Sequence, residues 1–227
     1  RHPVVYRPNG KGMAFALFVR PVTDGQVIEK GNRIVIKGAS YLTLISSTAT
    51  GFLGYDQMPL TDRKQVVQKA MQQVMDAGTD VSKLKKEHIE DYKALFSRQD
   101  FSLHTDRSGR TDKLLKDPAA FQAVCELLYQ YGKYLMISGS RRGGQPLNLQ
   151  GQWNANIRPA WSSNYTVNIN TQMNYWGASL CGLQECLEPY LRMVHEVCKR
   201  GGKTAKVNYG SVSYTHLRAH ETRGNLV

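Results

Sequence analysis

In the stretch TDRKQVVQKAMQQVMDAG, from Thr61 to Gly78, the spacing of apolar residues changes from that of β-strands to that of a helix. Four of its apolar residues recur at three- and four-residue steps and share one face of a helix: Val67, Ala70, Met71 and Val74. Thr61 or Asp62 can cap the start of this helix, and Gly78 can end it. The stretch therefore predicts an α-helix between two regions of different pattern.

The residues before this helix have the pattern of β-strands. Apolar runs at 13–22 and 41–54, and the alternating run RIVIKG at 33–38, are separated by short turns rich in Gly and Asp. Such spacing favours an antiparallel sheet. Because about three strands cannot make a complete β domain, we expect residues 1–60 to be the C-terminal part of an antiparallel β-sandwich.

The residues after Gly78 are predominantly helical. SKLKKEHIEDYKALFSR at 82–98 predicts an amphipathic helix with four apolar side chains on its buried side: Leu84, Ile89, Tyr92 and Phe96. Together with the opening helix it makes residues 61–100 a predicted helical linker. A third helix should start at Asp117, with Pro118 in its first turn. Its wide apolar stripe predicts a core helix: Phe121, Val124, Leu128, Tyr131 and Leu135.

A long loop interrupts the helices at 138–165, and helical patterns resume at 171–183 and 185–200, with Gly201 and Gly202 as the expected end. Loops of this length in a compact domain are usually functional. Long helices joined by long polar loops suit a helical toroid whose loops build a pocket. The predicted fold class is therefore multidomain, with β structure followed by α structure.

Composition and charge exclude some classes of function. The chain has 41% hydrophobic and 21% charged residues, which is typical of a globular protein. No apolar run approaches the roughly 20 residues of a membrane span. The net charge of +12 makes nucleic acid a legitimate partner to consider, but the basic residues are scattered along the chain. We expect no membrane span and no nucleic-acid partner, and a basic nucleic-acid-binding protein is the least favoured alternative.

The four cysteines predict no metal centre. Cys125, Cys181, Cys186 and Cys198 form no CxxC pair, which makes a zinc site a weak hypothesis. Cys181 and Cys186 could pair in an oxidising compartment, although buried free thiols are the favoured prediction. We therefore expect no metal ion and no cofactor.

The segment from Leu127 to Gln184 contains no Asp or Glu, yet it holds all three Trp and many Tyr, Asn and Gln residues. Aromatic rings stack on the apolar faces of sugars, and amide side chains pair with hydroxyl groups as donors and acceptors. A neutral polyhydroxylated ligand fits this composition better than a phosphate does. The alternative is a core packed with aromatic residues and Asn side chains that cap loops.

Two motifs carry a resemblance to a known family. YGKYLMISGSRRGGQPLNLQGQWN at 131–154 and PAWSSNYTVNINTQMNYW at 159–176 closely resemble the start of the catalytic domain of glycoside hydrolase family 95. These enzymes are inverting, exo-acting α-L-fucosidases, with some α-L-galactosidases. The resemblance implies that residues 101–210 are the first helices of a truncated (α/α)6 barrel. It also implies a periplasmic or secreted bacterial parent, of which this chain would be a fragment.

The resemblance also implies the roles of individual residues. The two Asn of the NIN motif, Asn168 and Asn170, match the family's water-holding pair, while the general acid Glu and a supporting Asp would lie outside this chain. Two residues apart on a strand-like segment, these Asn side chains would point the same way and hold one water. Thr166 matches a position that selects between L-fucose and L-galactose. Where the family usually has Pro after NYW, Gly177 is expected to loosen the helix start.

The expected ligand is a fucosylated or L-galactosylated oligosaccharide. Six residues are the predicted substrate-binding set: Thr166, Trp153, Asn154, Trp161, Tyr175 and Trp176. Because the carboxylates are missing, we expect the fragment to be inactive. The alternative from another class is a non-catalytic carbohydrate-binding module, which would use the same Trp and Asn residues.

The resemblance ends near Gly210. Residues 211–227 have no helical stripe and do not fit the family, so we expect a non-native tail of the kind that sequencing artefacts produce. A metal site at His216, His220 and Glu221 is the alternative interpretation of this segment.

Overall fold

The computed structural model describes residues 12–106, 108–152 and 154–210, which form four β-strands followed by six α-helices. The strands are β1 (Phe15–Thr23), β2 (Gln26–Lys30), β3 (Arg33–Lys37) and β4 (Leu42–Thr50). The helices are α1 (Arg63–Ala77), α2 (Val81–Phe96), α3 (Thr111–Leu114), α4 (Phe121–Gly139), α5 (Asn170–Leu180) and α6 (Glu188–Tyr209). The predicted order of β structure followed by α structure is confirmed.

The chain divides into two compact units, the first ending at Glu90 and the second beginning at Asp91. This division falls inside α2 and therefore inside the predicted linker. The predicted bounds of the linker and of the truncated catalytic domain stay predictions. The predicted tail at 211–227, with its histidines, lies outside the described residues.

The strands of the first unit pair in the predicted antiparallel sense. β1 pairs with β4 in the register Phe15 opposite Thr50 to Thr23 opposite Leu42, and β2 pairs with β3 across a turn that contains Gly31. Gly31 has a φ of 61°, a conformation that glycine adopts without strain. The described strands thus form two small antiparallel sheets.

Helix α1 packs on one face of the β1–β4 sheet. Its buried side chains Val66 and Ala70 form a small core with Ala49 of β4. The helix starts where predicted, because the Asp62 carboxylate accepts a hydrogen bond of 2.9 Å from the Lys64 N–H group, and it ends at Gly78. The predicted buried face was wrong at Val67, which is exposed.

The second unit has a core in which residues of α2, α4 and α5 meet the turn that precedes α6. Its buried residues are Leu95, Met136, Ile137, Tyr175, Ala178, Leu183 and Cys186. In α2 the prediction missed Leu95, the buried residue of this helix. Of the four side chains predicted there, Leu84, Tyr92 and Phe96 are half-buried and Ile89 is exposed.

Helix α4 follows the predicted start but turns the opposite face to the core. The Asp117 carboxylate accepts a hydrogen bond of 2.9 Å from the Ala119 N–H group, and Pro118 lies in the first turn. Most of the predicted core stripe is exposed: Phe121, Leu128, Tyr131 and Leu135. The residues that are buried instead include two charged ones: Ala123, Glu126, Lys133, Met136 and Ile137.

Hydrogen bonds explain why the charged face of α4 is buried. The Lys133 ammonium donates to the backbone carbonyl groups of Phe96, at 2.7 Å, and of Gln99, just after α2. The Glu126 carboxylate accepts hydrogen bonds from the Leu103 N–H group and the Ser102 hydroxyl. Both charges therefore satisfy backbone groups of the segment that connects α2 to α3, as buried charges must.

Helix α6 continues through the glycines that were expected to end it. It runs to Tyr209 and is capped by Gly210, whose φ is 63°, while Gly201 is a buried residue of the helix interior. The four cysteines are free thiols, of which Cys186 is fully buried. Among the described residues, no helix combines the length and apolar character that crossing a membrane requires.

Candidate functional site

The hydroxyl of Tyr175, on α5, forms a hydrogen bond with the long loop that follows α4. It accepts a hydrogen bond of 2.8 Å from the Leu147 N–H group and lies 2.8 Å from the Ser140 hydroxyl, which itself donates to the Cys186 carbonyl. The Tyr175 ring is 4% exposed and stacks on the Tyr190 ring at a centroid distance of 4.9 Å. Burial raises the pKa of Tyr175, so the hydroxyl stays protonated. The structure thus places this predicted substrate-binding residue in the core.

The chain turns sharply where the predicted water-holding residues lie. The Thr166 carbonyl accepts hydrogen bonds from the N–H group of Thr171, at 3.0 Å, and from its hydroxyl, at 2.9 Å. These bonds pull the chain into a turn at 167–169, from which α5 starts. Asn168 therefore lies in a turn and Asn170 is the first residue of α5. The prediction of a strand-like segment here is wrong. The alternation of side chains along a strand therefore does not apply to Asn168 and Asn170.

The four Asn residues between 164 and 174 fall into two classes. The Asn164 side chain accepts a hydrogen bond of 3.0 Å from the Thr166 hydroxyl, and the Asn174 side chain donates one of 3.3 Å to the Asn148 carbonyl. Asn168 and Asn170 are exposed, and their side chains have no hydrogen-bond partner in the part of the chain that the structure describes. These two amides are therefore available to a ligand or a water molecule.

Trp161 projects from a strained turn. Its indole is 80% exposed, and three successive residues have left-handed backbone angles, with φ of 51° at Trp161, 56° at Ser162 and 49° at Ser163. Each such residue costs roughly 1–2 kcal/mol when it is not glycine. Backbone strain of this kind clusters at ligand-binding sites, which is compatible with the predicted role of Trp161.

The remaining predicted residues that the structure describes lie on α5 and in the loop before it. Trp176 is exposed on α5. It lies about 160° around the helix axis from Asn174, so these two side chains project from nearly opposite sides of the helix. Asn154 is exposed, and its side-chain oxygen accepts a hydrogen bond of 2.7 Å from the Asn156 N–H group. Trp153 lies outside the described residues.

A cavity of about 580 Å³ lies between α4 and residues 147–152. None of the predicted site residues in the described ranges lines it. Its lining includes four amide side chains and two tyrosines: Asn148, Gln150, Gln152, Asn174, Tyr131 and Tyr134. We call it the amide cavity. Of these six residues, only Tyr131 had a role predicted from the sequence, in the apolar stripe of α4. For the others, the density of amides in a carboxylate-free segment was the available signal.

The amide cavity is electrically neutral. Its described lining contains no Asp, Glu, Lys, Arg or His residue, so a charged ligand would find no counter-charge there. Within the described ranges, no group of three or more His, Cys, Asp or Glu residues is placed to hold a metal ion. Hydrogen bonding and ring stacking are what this lining can offer to a ligand.

Comparison with known proteins identifies the family. Residues 80–224 match the glycosyl hydrolase family 95 catalytic domain, so the match extends past Gly210, where the resemblance was expected to end. The chain is 33% identical to Alpha-L-fucosidase 2 of Arabidopsis thaliana over 216 residues, which cover 88% of this chain and 25% of the relative. It is 31% identical to Probable alpha-fucosidase A of Aspergillus oryzae over an alignment of 238 positions, which covers 96% of this chain and 33% of the relative.

A third relative matches a shorter region. Probable alpha-fucosidase A of Aspergillus niger is 39% identical over 137 residues, which cover 57% of this chain and 17% of the relative. The chain thus spans at most about a third of the length of these curated relatives. Because the catalytic-domain match covers more than half of its residues, the chain belongs to glycosyl hydrolase family 95.

Proposed function

We propose that this chain is part of an exo-acting, inverting glycosidase that hydrolyses terminal α-L-fucosyl or α-L-galactosyl residues of oligosaccharides. The names of the relatives, all α-fucosidases, support the reaction class. The observation that carries the proposal is the pair of exposed amides at Asn168 and Asn170, whose side chains have no partner among the described residues. In this proposal they hold the attacking water through their carbonyl oxygens.

Inversion requires an acid at the leaving oxygen and a base-assisted water on the opposite face of the sugar. An amide is a feeble base, so a carboxylate must polarise the water or the amides. Because no Asp or Glu occurs between Leu127 and Gln184, we propose that both carboxylates come from other parts of a longer protein. The helices would then complete an (α/α)6 barrel, and the sheets a β-sandwich, in a secreted or periplasmic enzyme. We expect the 227-residue chain alone to be inactive.

The test is hydrolysis of an aryl α-L-fucoside by the longer protein. Replacing Asn168 or Asn170 with Ala should lower kcat at least about 100-fold, since a positioned proton acceptor contributes on the order of 10²–10⁴. The fold should tolerate both changes because both side chains are exposed and neither has a hydrogen-bond partner among the described residues. Asn156→Ala, in an exposed position of the same loop, is the matched control. Unchanged kcat in both Asn variants would reject the proposal.

Thr166 is proposed to select the sugar. L-Fucose is L-galactose without the 6-hydroxyl, and a site that bonds a hydroxyl discriminates strongly against the analogue that lacks it. The Thr166 hydroxyl donates its hydrogen to Asn164, which leaves its oxygen able to accept one from the sugar. We expect kcat/KM to favour the α-L-galactoside, and Thr166→Val to reverse that preference. A strong fucoside preference in the unaltered protein would contradict the assignment.

One observation favours a second candidate, a non-catalytic carbohydrate-binding protein. The amide cavity is neutral and could bind a sugar without any hydrolysis. In that case the longer protein would bind oligosaccharides, and no variant at Asn168 or Asn170 would change a reaction rate.

A further inference from the structure

We propose that Tyr175 is a positioning residue for sugar selection. Its buried hydroxyl fixes residues 146–149 of the loop after α4, these residues hold Asn164 and Tyr165, and the Asn164 side chain orients the Thr166 hydroxyl. Tyr175 thus acts from the core without touching the sugar, in place of the direct contact predicted from the sequence. This role rests on the proposed role of Thr166 in choosing between L-fucose and L-galactose.

Every hydrogen around the Tyr175 hydroxyl has a defined place. The Ser140 hydroxyl donates its hydrogen to the Cys186 carbonyl at 2.8 Å, so the 2.8 Å contact between Ser140 and Tyr175 requires Tyr175 as the donor. The Tyr175 oxygen then accepts a hydrogen bond of 2.8 Å from the Leu147 N–H group. Since Ser140 is fully buried and Tyr175 is 4% exposed, the core fixes the position of the Leu147 backbone.

The residues on either side of Leu147 hold the segment that leads to the proposed water-holding turn. The Tyr165 hydroxyl donates a hydrogen bond of 3.1 Å to the Pro146 carbonyl. The Leu149 N–H group donates one of 3.1 Å to the Asn164 carbonyl. Because both bonds are made by near neighbours of Leu147, displacement of Leu147 would lengthen them.

The segment held in this way follows a strained turn. Residues 161–163 have left-handed backbone angles, and strain of this kind persists only where the surrounding structure enforces it. The bonds to Asn164 and Tyr165 come directly after that turn and oppose its relaxation. The Asn164 side chain accepts a hydrogen bond of 3.0 Å from the Thr166 hydroxyl. The direction in which the Thr166 oxygen presents its lone pairs therefore depends on Asn164.

A second residue of α5 also contacts the loop, but it holds the loop less firmly. The Asn174 side chain is exposed and donates a hydrogen bond of 3.3 Å to the Asn148 carbonyl. The bond from Leu147 is 2.8 Å long and ends on the buried Tyr175 hydroxyl. A shorter hydrogen bond in a region of low dielectric constant is the stronger one, so Tyr175 determines where the loop lies.

Removal of the Tyr175 hydroxyl should move the loop and spare the core. The Leu147 N–H group would lose its partner, and a polar group that faces the core without a partner is costly. The Ser140 hydroxyl would keep its bond to the Cys186 carbonyl, and the ring at 175 would still stack on Tyr190. Tyr175→Phe is therefore a selective change.

The ratio of kcat/KM for an aryl α-L-galactoside to that for an aryl α-L-fucoside, measured on the longer protein, tests this role. We expect Tyr175→Phe to lower the ratio about fivefold or more, roughly the value of one hydrogen bond, because the Thr166 hydroxyl loses its orientation. Any unfolded fraction cancels from the ratio, since both constants come from one preparation. Tyr190→Phe is the matched control and should leave the ratio unchanged, because the Tyr190 hydroxyl has no hydrogen-bond partner among the described residues.

A double variant tests whether Tyr175 acts through Thr166. Two residues that act through one contact have non-additive effects, so Tyr175→Phe should not lower the ratio further in the Thr166→Val background. A further fall of the same size would assign Tyr175 a separate contact with the sugar and overturn the proposal. An unchanged ratio in Tyr175→Phe alone would also overturn it, even with both kcat/KM values lowered equally, because a purely structural residue affects both sugars alike.

Amide NMR signals of the 227-residue chain separate this role from the proposed catalysis. The signals of Leu149 and Thr166 should shift in Tyr175→Phe and stay in place in Tyr190→Phe. Shifts confined to Leu147 would overturn the positioning role, whether or not the longer protein hydrolyses a glycoside. Shifts at Leu149 and Thr166 in a protein that hydrolyses neither glycoside would retain the chain of hydrogen bonds and reject the proposed function.

Discussion

Lys133 is a charged side chain buried in the second unit. It is 2% exposed, and its ammonium joins two backbone carbonyl groups and lies 4.4 Å from the centre of the Phe96 ring. The ammonium thereby caps the C-terminal end of α2. Carbonyl groups at a helix C-terminus lack partners within the helix and favour a positive charge. The sequence of α4 predicted an apolar core helix, so the burial of Lys133 was not expected.

We predict that Lys133→Met lowers the free energy of unfolding by about 2–4 kcal/mol, because two buried carbonyl groups lose a charged donor. Urea denaturation followed by circular dichroism measures the change. Lys116→Met, at an exposed position between α3 and α4, is the control and should have little effect. A loss below about 1 kcal/mol in Lys133→Met would contradict the assigned role.

Glu185 gives the second unit a dependence on pH. Its carboxylate accepts hydrogen bonds of 2.6 and 2.7 Å from the Arg98 guanidinium, which lowers the pKa of Glu185 from near 4.5 to about 2. Because the folded pKa is the lower one, this pair stabilises the fold fully above pH 4.5, and the contribution is lost as the pH falls towards 2.

We therefore expect Glu185→Gln to be less stable than the unaltered chain at pH 7, with the difference shrinking as the pH approaches 2. Unfolding midpoints in urea at several pH values measure this. Glu90→Gln is the control, because the exposed Glu90 carboxylate lies 3.9 Å from Lys86 and should contribute little. A difference that stays constant with pH would show that the pair has no such linkage.

At the scale of elements, local signals predicted both ends of α1 and the start of α4, but neither the end of α6 nor the buried face of α4. Asp62 and Gly78 bound α1 as expected, because a cap needs only neighbouring residues. The prediction of the buried face of α4 was wrong, because this helix is apolar around much of its surface. Its orientation depends instead on hydrogen bonds from Glu126 and Lys133 to backbone groups at 96–103. The Asn residues of the candidate site were found from motifs, whereas the amide cavity requires α4, α5 and the loop to meet.

Gly177 lies in the interior of α5, beyond the helix start that the sequence suggested. An added Cβ would meet no atom within 4 Å. We predict that Gly177→Ala raises the free energy of unfolding by about 0.5–1 kcal/mol, since glycine loses more conformational freedom in a helix than alanine does. Thermal denaturation measures the change.

Gly139→Ala is the contrasting substitution for Gly177→Ala. At Gly139, the last residue of α4, an added Cβ would lie 2.5 Å from the Leu147 side chain. This change should therefore lower stability. If both alanine variants shift the midpoint of thermal unfolding in the same direction, the space around the added Cβ does not determine the effect.

At the scale of the whole molecule, large apolar side chains remain exposed on three helices of the second unit. On α4, α5 and α6 they are more than half exposed: Phe121, Leu128, Tyr131, Met173, Trp176, Leu180, Leu191, Val207 and Tyr209. Apolar patches of this kind mark surfaces that associate. The order of strands and helices was predictable from periodicity, but which faces stay uncovered depends on tertiary packing.

We predict that the purified 227-residue chain self-associates at micromolar concentration, as sedimentation velocity will measure. Phe121→Glu and Leu180→Glu, whose side chains are 71% and 79% exposed, should reduce association without lowering helix content. Glu substitutions at the exposed polar positions Gln122 and Ser179 provide the control. A chain that stays monomeric at micromolar concentration would contradict the prediction.

The hydrogen bond from Leu147 to Tyr175 also has a kinetic consequence. A backbone amide in a long surface loop normally exchanges its hydrogen with water quickly, but this one is held by a hydroxyl buried in the core. It should exchange only when the core opens, at a rate close to that of the slowest amides of α5. Tyr175→Phe should release the Leu147 amide to fast exchange while α5 stays protected. In the unaltered chain, the Leu147 amide of the QPLNLQGQWN loop is therefore expected to exchange at the rate of the core rather than at that of a surface loop.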